Sequence, residues 1–119
     1  MTDPIQYIRE PTDLQCGQAV LAMITGLTVE RVVRKLCNDR ETNLREMKGF
    51  LRAHGVWISD ERIPVTEKES LPALCVLSLE TPRCWHWSLY CNGLFYDPEH
   101  GVVDDFPESG RKYYWEVRA

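Results

Sequence analysis

Hydrophobic residues change their spacing once along this chain. Before Gly55 they recur every three to four positions, and after it every second one. A period near 3.6 is that of a helix with one buried face, and a period of 2 that of a strand in a half-buried sheet. The chain is therefore committed to helices first and strands second. That order predicts an α+β domain in which a mostly antiparallel sheet packs against N-terminal helices.

The helical half carries its own punctuation. Pro11-Thr12-Asp13 supplies a turn and capping oxygens, with Thr12 or Asp13 expected as the N-cap of a helix over Leu14–Thr25 that Gly26 ends. Apolar residues cover nearly every face of that segment, which predicts burial at the centre of the fold. Thr28 is expected to cap a second helix with a stripe at Val29, Val32, Val33 and Leu36. Asn43 and Glu46 form a capping-box pattern ahead of Leu44, Met47, Phe50 and Leu51, and this third helix stops at His54-Gly55. Beyond it, strands are expected at 56–58, 63–65, 74–79, 85–91, 94–96 and 113–117.

At 119 residues, 44% of them hydrophobic, and with a net charge of -4, the sequence predicts one folded domain spanning 1–119 and excludes a disordered chain. The longest apolar run, 19–24, is far below the roughly 18 residues of a membrane span. The first ten residues contain Asp3 and no apolar stretch of the secretory-signal kind. Five cysteines at irregular spacings do not form a paired disulfide framework, so free thiols and a cytoplasmic location are expected. The acidic balance argues against a nucleic-acid partner. The seven Lys and Arg residues between Arg31 and Arg52 are read as the solvated faces of the helices.

Two segments carry chemistry. Asp13-Leu14-Gln15-Cys16-Gly17-Gln18-Ala19 puts a cysteine in the opening turn of the buried helix. Unpaired N–H groups and the positive end of the helix dipole stabilise a thiolate there, which suits a nucleophile; the alternative is a small buried hydrophobe. Gly17 is expected to leave room for a substrate backbone. The second segment runs from Trp85 to Pro98 and contains Asn92-Gly93, the sequence of a two-residue type I′ hairpin. Counting back from that turn pairs Cys91 with Leu94, Tyr90 with Phe95 and Leu89 with Tyr96. His86, Ser88, Tyr90, Phe95 and Asp97 then share one face, with His86 diagonal to Asp97. A carboxylate orienting an imidazole beside a thiol is a nucleophile–base–orienter arrangement.

The stretch from Asp13 to Gly26 resembles the Cys-Gly-x-Ala helix of the C39-like peptidases, a branch of the papain-like cysteine proteases. His86-Trp87 and Tyr96-Asp97-Pro98 resemble that family's histidine strand and Tyr-Asp-Pro hairpin. The resemblance implies a papain-like fold, with Cys16 as nucleophile, His86 as general base and acid, and Asp97 as orienter. It also implies an oxyanion-hole glutamine about six residues before the cysteine. Here that place is Glu10, which when ionised donates no hydrogen bond; Gln6, Gln15 or backbone N–H groups are the other candidates. The expected activity is hydrolysis of an amide bond in a peptide or protein, by a protease, deamidase or isopeptidase. The alternative is a non-catalytic papain-like domain that binds a protein partner.

No cofactor is expected. A zinc site at Cys75, Cys84, His86 and Cys91 has the wrong spacing, because structural sites favour pairs two to four residues apart. Cys37, Cys75 and Cys91 are expected to be buried thiols and Cys84 a more exposed one. His54 and His100 are expected at the surface. Any of Trp57, Trp85, Trp87 and Trp115 fits the core or the sheet, with Trp85 or Trp87 able to wall a cleft beside His86.

Overall fold

In the computed structural model, which describes residues 5–118, three helices precede a seven-stranded antiparallel sheet. Asp3 and the two ends of the expected 1–119 span lie outside the described residues. The helices are α1 (Cys16–Thr25), α2 (Val29–Leu36) and α3 (Leu44–Ala53). The strands are β1 (Trp57–Ile58), β2 (Ile63–Pro64), β3 (Leu74–Glu80), β4 (Trp85–Cys91), β5 (Leu94–Asp97), β6 (Gly101–Val103) and β7 (Lys112–Arg118). They lie in the order β1-β7-β3-β4-β5-β6, and β2 also pairs with β7. This is the expected α+β, papain-like arrangement. No single helix among the described residues is long and apolar enough to cross a membrane.

The stops and starts of α2 and α3 follow the sequence pattern. Thr28 Oγ1 accepts from the Arg31 N–H, and the Asn43–Glu46 capping box is complete in both directions. The start of α1 differs from expectation. Thr12 accepts from the Leu14 and Gln15 N–H groups in a turn, the helix begins two residues later at Cys16, and its N-cap, Gln15, makes no side-chain cap. Thr12 and Asp13 are thus not helix caps. Thr12 spends its acceptors on the preceding turn.

Every residue of α1 from Cys16 to Met23 is buried. Its apolar side chains meet Val76, Leu89, Cys91, Trp115 and Val117 on one sheet face, with α2 and α3 closing the layer through Val32, Met47, Phe50 and Leu51. The other face carries a second cluster, Cys75, Leu77, Leu79, Tyr90 and Phe95, covered by Leu71 and Phe106 from the connecting segments. Six of the seven basic residues between Arg31 and Arg52 are exposed and Lys48 is half-buried, as a solvated face requires.

Two further expectations need correction, and one strand was not expected. Cys37 is exposed rather than buried, because it ends α2 in the left-handed conformation (φ 55°) with its side chain outside the helix layer. Gly17 leaves no room for a substrate: a Cβ there would lie 1.8 Å from Thr42 Oγ1 and 3.1 Å from Trp87 Cδ1, so the glycine is fixed by close packing of α1 on the α2–α3 loop and β4. One strand, β6, was absent from the sequence reading.

Candidate active site

The β4–β5 hairpin turns on Asn92 (φ 47°) and Gly93 (φ 95°), both left-handed as a type I′ turn demands. Its register is the one obtained by counting: Cys91 with Leu94, Tyr90 with Phe95, Leu89 with Tyr96. His86 lies beyond the last of these pairs, and there the two strands' side chains rather than their backbones meet. His86 Nε2 donates to Asp97 Oδ1 at 3.0 Å and Oδ2 at 3.1 Å, and Ser88 Oγ donates to Oδ2 at 2.8 Å.

Where β5 no longer pairs with β4, the Trp87 N–H donates instead to Cys16 Sγ at 3.4 Å. The start of α1 therefore sits against the unpaired end of β4. Cys16 Sγ, a ring nitrogen of His86 and a carboxylate oxygen of Glu10 all lie within 4.8 Å of one another. With His86 Nε2 held by Asp97, the nitrogen left to face the thiol is Nδ1. Cys16, His86 and Asp97 are thus brought together in that order, and all three are buried.

Asp97 is fully buried, yet its carboxyl is held well below the usual carboxylate range. Burial alone would raise it; the His86 and Ser88 hydrogen bonds and the Glu99 N–H outweigh that. His86 is shifted the opposite way. Burial opposes its charge, but hydrogen bonds and Coulomb attraction to Asp97 and Cys16 raise its pKa above the ordinary imidazole value. The pair favours imidazolium beside carboxylate.

Of the three oxyanion candidates, Glu10 has a carboxylate oxygen within 4.8 Å of the Cys16 sulfur. Its N–H donates to Pro98 O at 3.0 Å, Arg9 bonds Glu99 O at 2.8 Å, and the Tyr7 hydroxyl bonds Asp97 O at 2.6 Å, so the 7–10 segment is strapped along the Asp97 turn. Glu10 Oε1 is buried with no hydrogen-bond partner. Burial raises the Glu10 pKa; Glu99, Asp97 and Asp13 add to the rise while His86 opposes it. The Gln15 amide is committed elsewhere, donating to Asp39 O at 3.0 Å, and Gln6 is exposed.

Two contributors escaped the sequence reading. His100 is at the surface as expected, but it also donates through Nδ1 to Asp97 Oδ1 at 2.9 Å, and its N–H donates to the same oxygen at 3.0 Å. Asp-Pro-x-His, with the aspartate capping its own turn, was the available signal. Gln18, fully buried in α1, donates to the Asn38 and Arg40 carbonyls and fixes the loop that carries Thr42. Nothing in a lone glutamine within an apolar helix announces that role.

An open cleft of about 560 Å³ lies over this constellation, with His86, Glu10, Cys84 and Glu99 in its walls. Cys16 is 8% exposed and does not line it; the two groups flanking its sulfur do. Trp87 is turned inward, its Nε1 donating to Thr42 O at 3.1 Å, and neither it nor the exposed Trp85 is among the lining residues.

No protein-family model matches the sequence, and no curated protein does. Among solved structures, the chain is similar to a double-glycine motif protease from an AMS/PCAT transporter, determined in complex with the leader peptide. The TM-score is 0.67 at 20% identity, over 93% of this chain and 89% of that one. The likeness is one of fold, and it is the fold that the Cys-Gly-x-Ala and Tyr-Asp-Pro motifs imply.

Proposed function

We propose that this chain is a cysteine hydrolase that acts on an amide bond of a peptide or protein, with Cys16 as nucleophile, His86 as general base and acid, and Asp97 as the orienting carboxylate. The observation that carries this reading is the buried line of thiol, imidazole and carboxylate at an uncapped helix start. In the first step the Cys16 proton passes to His86, the sulfur attacks the carbonyl carbon, and the resulting imidazolium gives its proton to the leaving amine as the C–N bond breaks. In the second, neutral His86 takes a proton from water, the hydroxide so formed attacks the thioester, and the C–S bond breaks as that proton returns to Cys16. Asp97 holds the imidazole so that the face toward Cys16 is fixed throughout.

The N–H groups that open α1 and a protonated Glu10 are the donors at hand for the developing oxyanion. The raised Glu10 pKa favours the protonated form that this role needs. A peptide substrate suits the open cleft, and the fold neighbour was determined in complex with a leader peptide.

The test is product formation from a peptide mixture followed by mass spectrometry. New termini or Gln-to-Glu conversion should appear with the native protein and vanish with Cys16→Ala; no difference between the two overturns the hydrolase reading. If ionised Glu10 handicaps the site, Glu10→Gln raises turnover by about 100 to 1,000-fold, the usual worth of one oxyanion donor.

A second reading has one observation in its favour. Glu10 places an acidic side chain where a neutral donor is expected, which fits a papain-like domain that has lost turnover and uses the cleft to bind a protein partner.

A further inference from the structure

We propose that Cys16, His86 and Glu10 form a binding site for a thiophilic divalent cation of the zinc type, which on binding masks the thiol. These ligands differ from the set Cys75, Cys84, His86 and Cys91, whose spacing does not suit a structural zinc site. Binding itself does not depend on turnover; only its inhibitory consequence rests on the hydrolase reading.

The donor set is a soft thiolate, an imidazole nitrogen and a carboxylate oxygen, the three ligand types that zinc prefers. These atoms lie within 4.8 Å of one another. Tetrahedral zinc, with bonds of about 2.0 to 2.3 Å, needs its ligands about 3.5 Å apart, so closure asks for side-chain rotation of about 1 Å and no backbone change. The backbone is already fixed, since Cys16 opens a buried helix, Glu10 is tied to Pro98 and His86 lies in β4.

Glu10 supplies the independent observation. Its Oε1 is buried beside Cys16 and His86 and accepts no hydrogen bond. The neighbouring trio His86, Asp97 and His100 makes the contrast. Its atoms are as close together, but Asp97 already accepts from both imidazoles at 3.0 and 2.9 Å and lacks nothing.

Outer contacts also fit. A metal-bound histidine commonly donates its second nitrogen to a carboxylate, which fixes the ring and raises its basicity. His86 Nε2 does so to Asp97, which leaves Nδ1 for the cation. With three protein ligands, tetrahedral zinc keeps its fourth position for water. The binding step balances: the proton that Cys16 and His86 share, and that of Glu10 where it carries one, pass to solvent, the cation takes their places, and no electron moves.

The experiment uses the full chain with exposed Cys37 and Cys84 changed to serine, so that no other accessible thiol competes. Zinc affinity is measured by competition with a chromophoric chelator, and cobalt is added as a spectroscopic stand-in. One cation per chain is expected, with a thiolate-to-cobalt charge-transfer band that Cys16→Ser abolishes. Glu10→Gln should weaken zinc binding at least about tenfold, the lower end of what even an outer contact costs. Bound zinc should also protect Cys16 from alkylation until a chelator is added. Retention of full affinity in Glu10→Gln, or absence of the cobalt band in a folded chain, overturns the site. Catalytic failure alone leaves these binding readouts standing, and so distinguishes loss of the hydrolase reading from loss of this one.

Discussion

α1 and α2 follow one another with a three-residue connection, yet their beginnings are built differently. α2 starts at Thr28, whose hydroxyl satisfies the Arg31 N–H, and has Glu30 in its first turn; α3 goes further with a full capping box. α1 has no side-chain cap and no acidic residue in its first turn. The capped starts are half-exposed or exposed and the uncapped one is buried. A helix that only packs satisfies its first N–H groups locally, whereas α1 starts without a side-chain partner for them, at the residue whose sulfur lies beside Glu10 and His86. What holds α1 in place is tertiary: close packing at Gly17, the Trp87 N–H on the Cys16 sulfur, and Gln18 on the α2–α3 loop.

The comparison breaks if the site end of the fold proves no more costly to disturb than the capped ends. The largest effect is expected from Asp97→Ala, which strands a buried imidazole, the Ser88 hydroxyl and the Glu99 N–H at once. Breaking such a buried pair typically costs about 3–5 kcal/mol, measurable by urea denaturation. The sign of its pH dependence follows from the two shifts. Asp97, held low, contributes stability above about pH 4 that is lost as pH falls through its folded value; His86, held high, contributes fully below about pH 6.5 and less as pH rises through its folded value. The stability gap between the native chain and Asp97→Asn should therefore be widest between about pH 4 and 6.5.

Gly17→Ala comes next. Its Cβ would collide with Thr42 Oγ1, and overpacking of this kind costs about 1–3 kcal/mol. A smaller loss, about 1 kcal/mol, is expected for Thr28→Ala or Asn43→Ala, the ordinary worth of a helix cap. Thr12→Ala, by contrast, should leave the helix start unaltered, because Thr12 caps a turn. Thermal melts of the four variants rank them; Thr12→Ala as costly as Thr28→Ala would show that α1 is capped after all.

The sequence made the hairpin legible because Asn92-Gly93 fixes both turn type and register, and register alone puts His86 beside Asp97. It made α2 and α3 legible because their caps are local. The start of α1 was misjudged by the same logic: Thr12 and Asp13 look like caps, but the uncapped start is decided by contacts with β4, which no local pattern records. β6 escaped because three residues after a turn offer too short an alternation, and its pairing with β5 is again tertiary. His100 and the tie between Gln18 and the α2–α3 loop were hidden for the same reason.

The central claim is that the uncapped start of α1 and His86 together activate Cys16. Alkylation by iodoacetamide in metal-free buffer, with each cysteine followed by mass spectrometry, tests it most directly. Exposure alone would label Cys37 and Cys84 first and Cys16, at 8% exposure, late. Activation predicts the reverse order near neutral pH, with Cys16 labelled first and slowed by His86→Ala while Cys37 and Cys84 keep their rates. A labelling order that follows exposure, unchanged by His86→Ala, would contradict it.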